Sequence, residues 1–316
     1  MLASASVVDD AQEVHTVVPT EMGDLHGILR VPDGTPLPGL VLVDGSGDGD
    51  RNAWGGRPIW LADAGAVVLR HDKPGCGGSP GDWMAQTLHD RARETLDAVR
   101  TLRGRPATAN QPVGLYGVSQ GGWVAMLAAM LEPSAVDFVI VQSTPATTPA
   151  AQERDRLERA LRREGFEGHR LETAMAWVDE RARLVTSDVP IADVLAVQRT
   201  HAREPWYAAT LHPYDDAPSL RFLRGMLDFD PADVLPYVRC PMLVLLGAAD
   251  PIIPVRASIE GYSRLLPPNA SSGAAVLPDA DHGLFVAEPI EGVDRRAQLA
   301  PGYLPIVASF LAEQRR

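Results

Sequence analysis

The sequence predicts an α/β fold in which a mostly parallel central sheet is flanked by helices and interrupted by a helical insertion. Three observations lead to this prediction. Short, wholly apolar runs alternate with helical segments, a long polar helical stretch breaks that alternation, and the alternation then resumes. Wholly apolar strands separated by helices are typical of a parallel sheet covered on both faces. The 316 residues, 45% hydrophobic and 22% charged, suffice for one large domain that carries an insertion.

The two N-terminal strands are expected to form an antiparallel entry to the sheet. Glu13 to Val18 and Leu25 to Val31 alternate apolar and polar residues, and Met22-Gly23-Asp24 is typical of a hairpin turn between them. Later strands are expected at the apolar runs Leu40 to Val43, Ala66 to Leu69, Val113 to Tyr116, Phe138 to Val141, Met242 to Leu246 and Ala274 to Leu277. Helical patterns occur at Gln86 to Leu102, Trp123 to Ala128, Ile259 to Leu265 and Tyr303 to Glu313.

The strand rhythm stops between Ser143 and Val238. Polar helical periodicity takes its place from Ala150 to Glu164 and from Leu171 to Leu184, followed by a Pro- and aromatic-containing stretch from Glu204 to Tyr214. This segment is interpreted as a helical lid over residues 146–235. Residues 1–145 and 236–316 are then expected to form the core domain.

The pentapeptide Gly117-Val118-Ser119-Gln120-Gly121 is the strongest functional signal in the chain. It stands between a predicted strand and a predicted helix, where two glycines permit a turn too tight for side chains and the serine is held, strained, above the sheet. A G-x-S-x-G string alone also marks ordinary turns, so the flanking strand and helix are what favour a nucleophile elbow. Ser119 is therefore the predicted nucleophile of an acyl-transfer reaction.

A serine nucleophile needs an imidazole that accepts its proton and a carboxylate that orients the imidazole. Asp250 follows the strand that ends at Leu246, and His282 follows the next predicted strand. Asp281 is a rival acid, but a carboxylate adjacent in sequence usually points away from its neighbour's ring. Each residue alone has an ordinary explanation, a turn for Asp-Pro and solvation for a loop histidine. Together, the order Ser119, Asp250, His282 predicts a catalytic triad.

Acyl transfer also needs backbone donors for the oxyanion of the tetrahedral intermediate. The first is expected to be the N–H of Gln120, and the second should come from the glycine-rich loop after the strand ending at Val43. Ser46 N–H is the preferred second donor, and Gly47 is the fallback. A plain turn and a calcium loop are the alternatives for this loop, although its sequence has no EF-hand spacing with a terminal Glu.

These motifs resemble the α/β-hydrolase superfamily, and more narrowly bacterial serine esterases of the acylaminoacyl-peptidase and carboxylesterase groups. The resemblance rests on the elbow, the turns of Asp250 and His282, Val41 to Gly47 with Asp50-Arg51-Asn52 after it, and Leu69 to Ser79. It implies an α/β-hydrolase fold with about eight strands in the sheet, the triad Ser119, Asp250 and His282, and an oxyanion loop after the third strand.

The chain departs from that resemblance at two positions. Many relatives have His where this chain has Asp44, a change expected to alter hydrogen bonding in the loop without removing the backbone donor. Relatives also have Arg where this chain has Pro74, which affects the packing of the loop from Lys73 to Ser79.

Several classes of function are disfavoured by composition. The formal net charge of -12 argues against nucleic acid, because the arginines from Arg154 to Arg163 are interleaved with acidic residues. Met1 to Gln12 shows no secretory signal, no run is long enough for a membrane span, and two cysteines are too few for a disulfide framework, so a cytoplasmic location is expected. Cys76 is interpreted as structural. Without H-E-x-x-H or clustered Cys and His, neither a metal nor a cofactor is expected.

The function predicted from these residues is a cofactor-independent serine hydrolase that cleaves an ester, thioester or lactone through an acyl-serine intermediate. The same machinery can pass the acyl group to an alcohol or amine, so an acyltransferase or macrocyclising enzyme is the nearest alternative. A peptidase and a non-catalytic binding protein on the same scaffold are further alternatives. A small acyl molecule is the expected partner, and the oligomeric state is left open, a homodimer included.

Substrate selection is expected to lie in the lid, because the triad and the oxyanion donors are generic. The densest aromatic cluster of the chain falls there and consists of Trp206, Tyr207, Tyr214, His201 and His212. These side chains either wall a pocket for the acyl or ring-bearing part of a substrate or pack the core of the lid itself.

Overall fold

The protein is described by a computed structural model that covers residues 12–211, 213–266, 271–286 and 288–315. Its strands are β1 (Gln12–Thr20), β2 (Gly23–Val31), β3 (Gly39–Val43), β4 (Val67–His71), β5 (Val113–Val118), β6 (Val139–Gln142), β7 (Met242–Gly247) and β8 (Gly273–Leu277). Its helices are α1 (Arg57–Asp63), α2 (Leu88–Arg103), α3 (Gln120–Leu131), α4 (Pro149–Arg163), α5 (Gly168–Thr186), α6 (Ile191–Thr200), α7 (Tyr207–Leu211), α8 (Ala217–Leu227), α9 (Val255–Leu265) and α10 (Tyr303–Gln314). Each predicted strand is present, with small shifts at its ends.

The eight strands form one sheet in the order β1-β2-β4-β3-β5-β6-β7-β8. The pairs β1–β2 and β2–β4 are antiparallel and the others are parallel, which confirms the predicted fold class and the antiparallel entry. From β3 the chain moves outward to β4 and then returns to β5 on the other side of β3. This reversal places the loops after β3 and β5 side by side at the carboxyl edge of the sheet, where ligands of such sheets bind.

Two apolar layers cover the sheet, as β3 illustrates. Leu40 and Leu42 pack with Trp60 of α1 on one face, whereas Val41 and Val43 belong to the core that α2 and α3 cover on the other. All five residues of β3 are buried, and full burial of each leucine or valine side chain stabilises the fold by ~1.5–3 kcal/mol. The central strands therefore provide a rigid base for the loops at their carboxyl ends.

The helix predicted from Gln86 begins two residues later, because Thr87 caps it. The Thr87 side chain accepts a hydrogen bond from Asp90 N–H, and the Asp90 carboxylate accepts one from Thr87 N–H, which forms a reciprocal capping box. Gln86 itself is buried and its side-chain amide donates to Glu94 at 2.7 Å. At α9 the helix starts earlier than predicted, at Val255 directly after Pro254.

The predicted helical insertion lies between β6 and β7 and contains α4 to α8. The helices α4 and α5 correspond to the two predicted polar segments. The helices α6, α7 and α8 were not predicted, since each has at most 11 residues and therefore a short periodic pattern. The insertion encloses apolar clusters of its own, one around Trp177 and one around Leu220. None of the helices in the described ranges combines the length and the apolar character needed to cross a bilayer.

Candidate active site

Ser119 lies at the turn between β5 and α3 with φ of 55° and ψ of -123°. A positive φ is strained for a residue with a side chain. A Cβ on Gly117 would lie 2.4 Å from the carbonyl oxygen of Gly121, and one on Gly121 would lie 2.1 Å from that of Val43. Real contacts of this kind are not so short, so the turn requires glycine at both positions. The structure therefore has the tight strand-to-helix turn that the pentapeptide predicts.

Asp250 and His282 are in contact at the carboxyl edge of the sheet. The Nδ1 atom of His282 lies 2.7 Å from Oδ2 of Asp250, whose carboxylate is fully buried. The other oxygen of Asp250 accepts hydrogen bonds from the N–H groups of Ile252 and Ile253 at 2.8 and 3.2 Å. These bonds fix the carboxylate, so it can hold the ring in one orientation and bind its Nδ1 proton.

The rival acid, Asp281, forms a hydrogen bond within its own turn. Its Oδ1 accepts the backbone N–H of Phe285 at 2.8 Å, while the ring of His282 pairs with Asp250. The geometry therefore favours Asp250 as the partner of the histidine.

The end of β6 and the residues directly after it hold the backbone around both Ser119 and His282, a role that the sequence motifs did not indicate. The carbonyl oxygen of His282 accepts hydrogen bonds from Ser143 Oγ at 2.8 Å and from Gln142 Nε2 at 3.2 Å. Thr144 Oγ1 donates to the carbonyl oxygen of Ser119 at 2.9 Å. Because one short segment binds both backbones, it fixes the histidine turn relative to the serine turn.

The loop after β3 lies against the serine. A Cβ on Gly45 would lie 3.3 Å from Cβ of Ser119 and 4.0 Å from its Oγ. Within the described ranges, the N–H groups of Ser46, Gly47 and Gln120 donate to no acceptor in the protein. These amides, predicted as oxyanion donors and their fallback, are thus free to bind a ligand oxygen.

Two buried cations bind this loop, and neither was identified from the sequence. Lys73 Nζ donates to the carbonyl oxygens of Gly45 and Gly47 and lies 3.6 Å from Oδ2 of Asp44. Arg91 donates to the carbonyl oxygen of Asp44 at 2.8 Å. Burial, reinforced by the charge of Arg91 and opposed by that of Asp44, lowers the pKa of Lys73 to about 8. The only feature of the sequence that draws attention to Lys73 is that it is the single lysine of the chain.

At Asp44, where the resemblance led us to expect a change in loop hydrogen bonding, the side chain takes part in the loop itself. Its Oδ1 accepts the N–H of Gly45 at 2.8 Å.

The helical insertion contacts the site at two points. The Sδ atom of Met226 on α8 lies 3.2 Å from Nε2 of Gln120, beside the nucleophile. Arg159 of α4 donates to the carbonyl oxygens of Asp250 and Ile253 at 3.3 and 3.0 Å. The insertion therefore reaches both the serine turn and the acid turn.

The aromatic residues predicted to bind substrate lie mainly in the apolar clusters of the insertion. Trp206 is 2% exposed, and the ring of His201 lies between it and Trp177, with centroid distances of 5.5 and 4.4 Å. Tyr207 packs at the edge of the same cluster, and Tyr214 belongs to the other cluster. His212 lies outside the described residues. This burial favours lid packing over a pocket wall, and the substrate-binding role stays a prediction.

Comparisons with known proteins agree with this fold. Residues 37–296 match the model of a family described as the alpha/beta hydrolase family. A segment of 102 residues, 31% of this chain, is 29% identical to the acylamino-acid-releasing enzyme of Mus musculus and spans 14% of that enzyme.

Solved structures show the same fold at low sequence identity. The esterase Pf2001 of Pyrococcus furiosus has a TM-score of 0.63 and 17% identity, with 100% of this chain and 97% of that chain covered. The alpha/beta hydrolase GrgF of Penicillium sp. sh18 has a TM-score of 0.62 and 16% identity, with 96% and 99% covered.

Proposed function

Since this chain belongs to the alpha/beta hydrolase family, we propose that it is a serine hydrolase that cleaves an ester, thioester or lactone through an acyl-serine intermediate. One observation carries the proposal: His282 is oriented by a buried carboxylate at 2.7 Å, on the same sheet edge where Ser119 occupies a strained elbow. A nucleophile, a base and an acid that follow three different strands rarely meet at one edge unless the arrangement serves chemistry.

The acylation step follows from the proposed roles. The imidazole of His282 takes the hydroxyl proton of Ser119 as the serine oxygen attacks the carbonyl carbon of the substrate. The ionised carboxylate of Asp250 holds the Nδ1 proton and stabilises the imidazolium. The carbonyl oxygen becomes an oxyanion and binds the N–H groups of Gln120 and Ser46. His282 then gives its proton to the departing alcohol or thiol, and the acyl group stays on the serine.

Deacylation repeats the same proton transfers with water. His282 takes a proton from a water molecule, the hydroxide attacks the acyl-serine, and the second oxyanion binds the same two amides. Collapse of this intermediate releases the acid and returns the proton to Ser119. The two half-reactions therefore need one base and one oxyanion site.

We propose further that residues 146–235 act as a lid over a core formed by residues 1–145 and 236–316. The contacts of Met226 with Gln120 and of Arg159 with the Asp250 turn support this role, since the insertion touches the residue after the nucleophile and the turn of the acid. A cover at this position excludes water and shapes the space for the acyl group.

Labelling followed by a substrate panel tests the proposal. A fluorophosphonate should add to the purified protein once per chain, and peptide mapping should place the adduct on Ser119. The exposed Ser263 gives a matched control, because Ser263→Ala should label like the wild type. The panel then compares acyl esters, thioesters, lactones and aminoacyl amides. Turnover of one of the first three classes is expected, whereas a preference for amides would assign a peptidase.

A further inference from the structure

The cations that bind the loop after β3 contact its carbonyl side. Lys73 Nζ donates to the carbonyl oxygens of Gly45 and Gly47, and Nη1 of Arg91 reaches that of Gly45 at 3.4 Å. We propose that Lys73 and Arg91 are positioning residues that hold the peptide group joining Gly45 to Ser46 with its N–H directed at the oxyanion. This inference rests on the proposed function, because it concerns the oxyanion site of that reaction.

The planarity of the peptide group links the carbonyl to the donor. The carbonyl of Gly45 and the N–H of Ser46 belong to one trans peptide, so they point in opposite directions. When the carbonyl binds Lys73 and Arg91, the N–H faces away from both cations. The peptide starts beside the nucleophile, since a Cβ on Gly45 would lie 3.3 Å from Cβ of Ser119. A flip of the peptide breaks its bonds to both cations.

The same contacts distinguish Ser46 from Gly47 as the second donor. The N–H of Gly47 belongs to the peptide whose carbonyl is that of Ser46, and this carbonyl accepts no hydrogen bond from any residue in the described ranges. The orientation of that peptide is therefore not held by the cations. The clamp, meaning Lys73 and Arg91 together, selects the N–H of Ser46.

Arg91 joins the two predicted donors. Its Nη1 donates to the side-chain oxygen of Gln120 at 2.8 Å, while Nη2 donates to the carbonyl of Asp44 at 2.8 Å. One buried guanidinium thus fixes the position of the loop after β3 relative to Gln120, the residue that carries the first donor. Hydrogen bonds from a charged donor are roughly twice as strong as neutral ones. They also polarise the peptide group, which makes its N–H a better donor to an anion.

The charge on Lys73 depends on its surroundings. Asp44 faces it from the loop after β3 and Arg91 from α2, while Cys76 lies on its own loop and the ring of Trp83 is 5.4 Å from Nζ. Burial and Arg91 lower its pKa to about 8, with Asp44 acting in the opposite direction. As the pH rises through this value, the clamp loses one positive charge and its bonds weaken. The proposal therefore predicts that kcat falls on the alkaline side.

Three substitutions distinguish an effect of the clamp on catalysis from a general loss of protein stability. Lys73→Met and Arg91→Met remove the donors and keep an unbranched apolar side chain, and Arg93→Met is the control, because Arg93 is an exposed residue of the same helix. Loss of an oriented oxyanion donor should lower kcat by roughly a hundred- to a thousandfold with little change in KM, as for an interaction made in the transition state. A trifluoromethyl ketone, which forms an oxyanion on the serine, should lose affinity in parallel. Arg93→Met should match the wild type.

The single lysine makes the alkaline effect measurable in the wild type. Protein labelled with ¹³C-lysine should give one side-chain signal, and its shift against pH gives the pKa of Lys73 directly. The midpoint of the fall in kcat should coincide with this pKa, and the fall should be absent in Lys73→Met. This comparison keeps the test valid if a variant does not fold.

The outcomes of these measurements are distinct. A wild type whose Ser119 does not react with a fluorophosphonate overturns the proposed function, and the clamp with it. The clamp alone is overturned if the wild type reacts and the folded variants Lys73→Met and Arg91→Met keep the wild-type kcat, ketone affinity and pH profile. An alkaline midpoint that differs from the measured pKa of Lys73 also contradicts it.

Discussion

The Nδ1 atom of His282 lies 2.7 Å from Oδ2 of Asp250, although the two residues follow different strands of the sheet. We expect Asp250→Asn to lower kcat by roughly ten-thousandfold, because the amide favours the wrong tautomer of the ring. Asp281→Asn is the matched control and should have a much smaller effect, since Asp281 binds the N–H of Phe285. Steady-state kinetics on the same ester measures both. The reverse order of the two effects would show that the acid is wrongly assigned.

The elbow should not tolerate a side chain at Gly121. A methyl group there would overlap the carbonyl oxygens of Val43 and Asp44, at 2.1 and 2.6 Å from the new Cβ. We expect Gly121→Ala to displace the loop after β3 and to lower both the melting temperature and kcat. Gly104→Ala is the control, because a Cβ there would lie 3.6 and 3.7 Å from two backbone oxygens, which are ordinary contact distances. A Gly121→Ala protein with normal activity and stability would contradict the packing described here.

Trp206 should contribute mainly to the stability of the insertion. Its ring is 2% exposed and belongs to a cluster with Trp177. Truncation of a buried tryptophan to alanine destabilises proteins by ~3–5 kcal/mol, so Trp206→Ala should lower the melting temperature while the order of preferred acyl chains stays the same. Trp206→Phe should have a smaller effect on stability. A changed acyl preference without a loss of stability would instead assign the residue to the substrate pocket.

The stability of the protein should depend on pH through Lys73. Burial lowers its pKa to about 8, below the value of 10.5 for a free lysine, so the folded state releases the proton more readily than the unfolded state. The contribution of Lys73 is therefore least favourable below pH 8 and increases between about pH 8 and 10.5, by at most roughly 3 kcal/mol. Urea unfolding at several pH values measures this contribution as the difference in the free energy of unfolding between wild type and Lys73→Met. A difference that stays constant with pH would contradict the lowered pKa.

Much of the fold was predictable because local patterns determine it. The runs from Val113 to Tyr116 and from Met242 to Leu246 are apolar throughout, and short runs of this kind are typical of a strand buried on both faces. The contact between Asp250 and His282 was predictable for a related reason. Each follows a strand, and the ends of parallel strands meet at one edge of the sheet.

The clamp and the supports of the histidine were not predictable in the same way. Lys73 and Arg91 act through backbone carbonyls of residues far away in sequence, and carbonyl contacts leave no mark on the residue types involved. The same holds for Ser143, which binds the carbonyl of His282. Within the insertion, short helices such as α6 are stabilised by tertiary packing more than by their own periodicity.

If Ser119 forms the covalent acyl intermediate, Ser119→Ala removes the oxygen that attacks the substrate. The measurement is kcat/KM on the best ester of the panel for wild type and variant, with melting temperatures recorded for both. Because only one hydroxyl is removed, we expect a loss of at least about a thousandfold with the fold intact. A folded variant that keeps wild-type turnover would contradict the account.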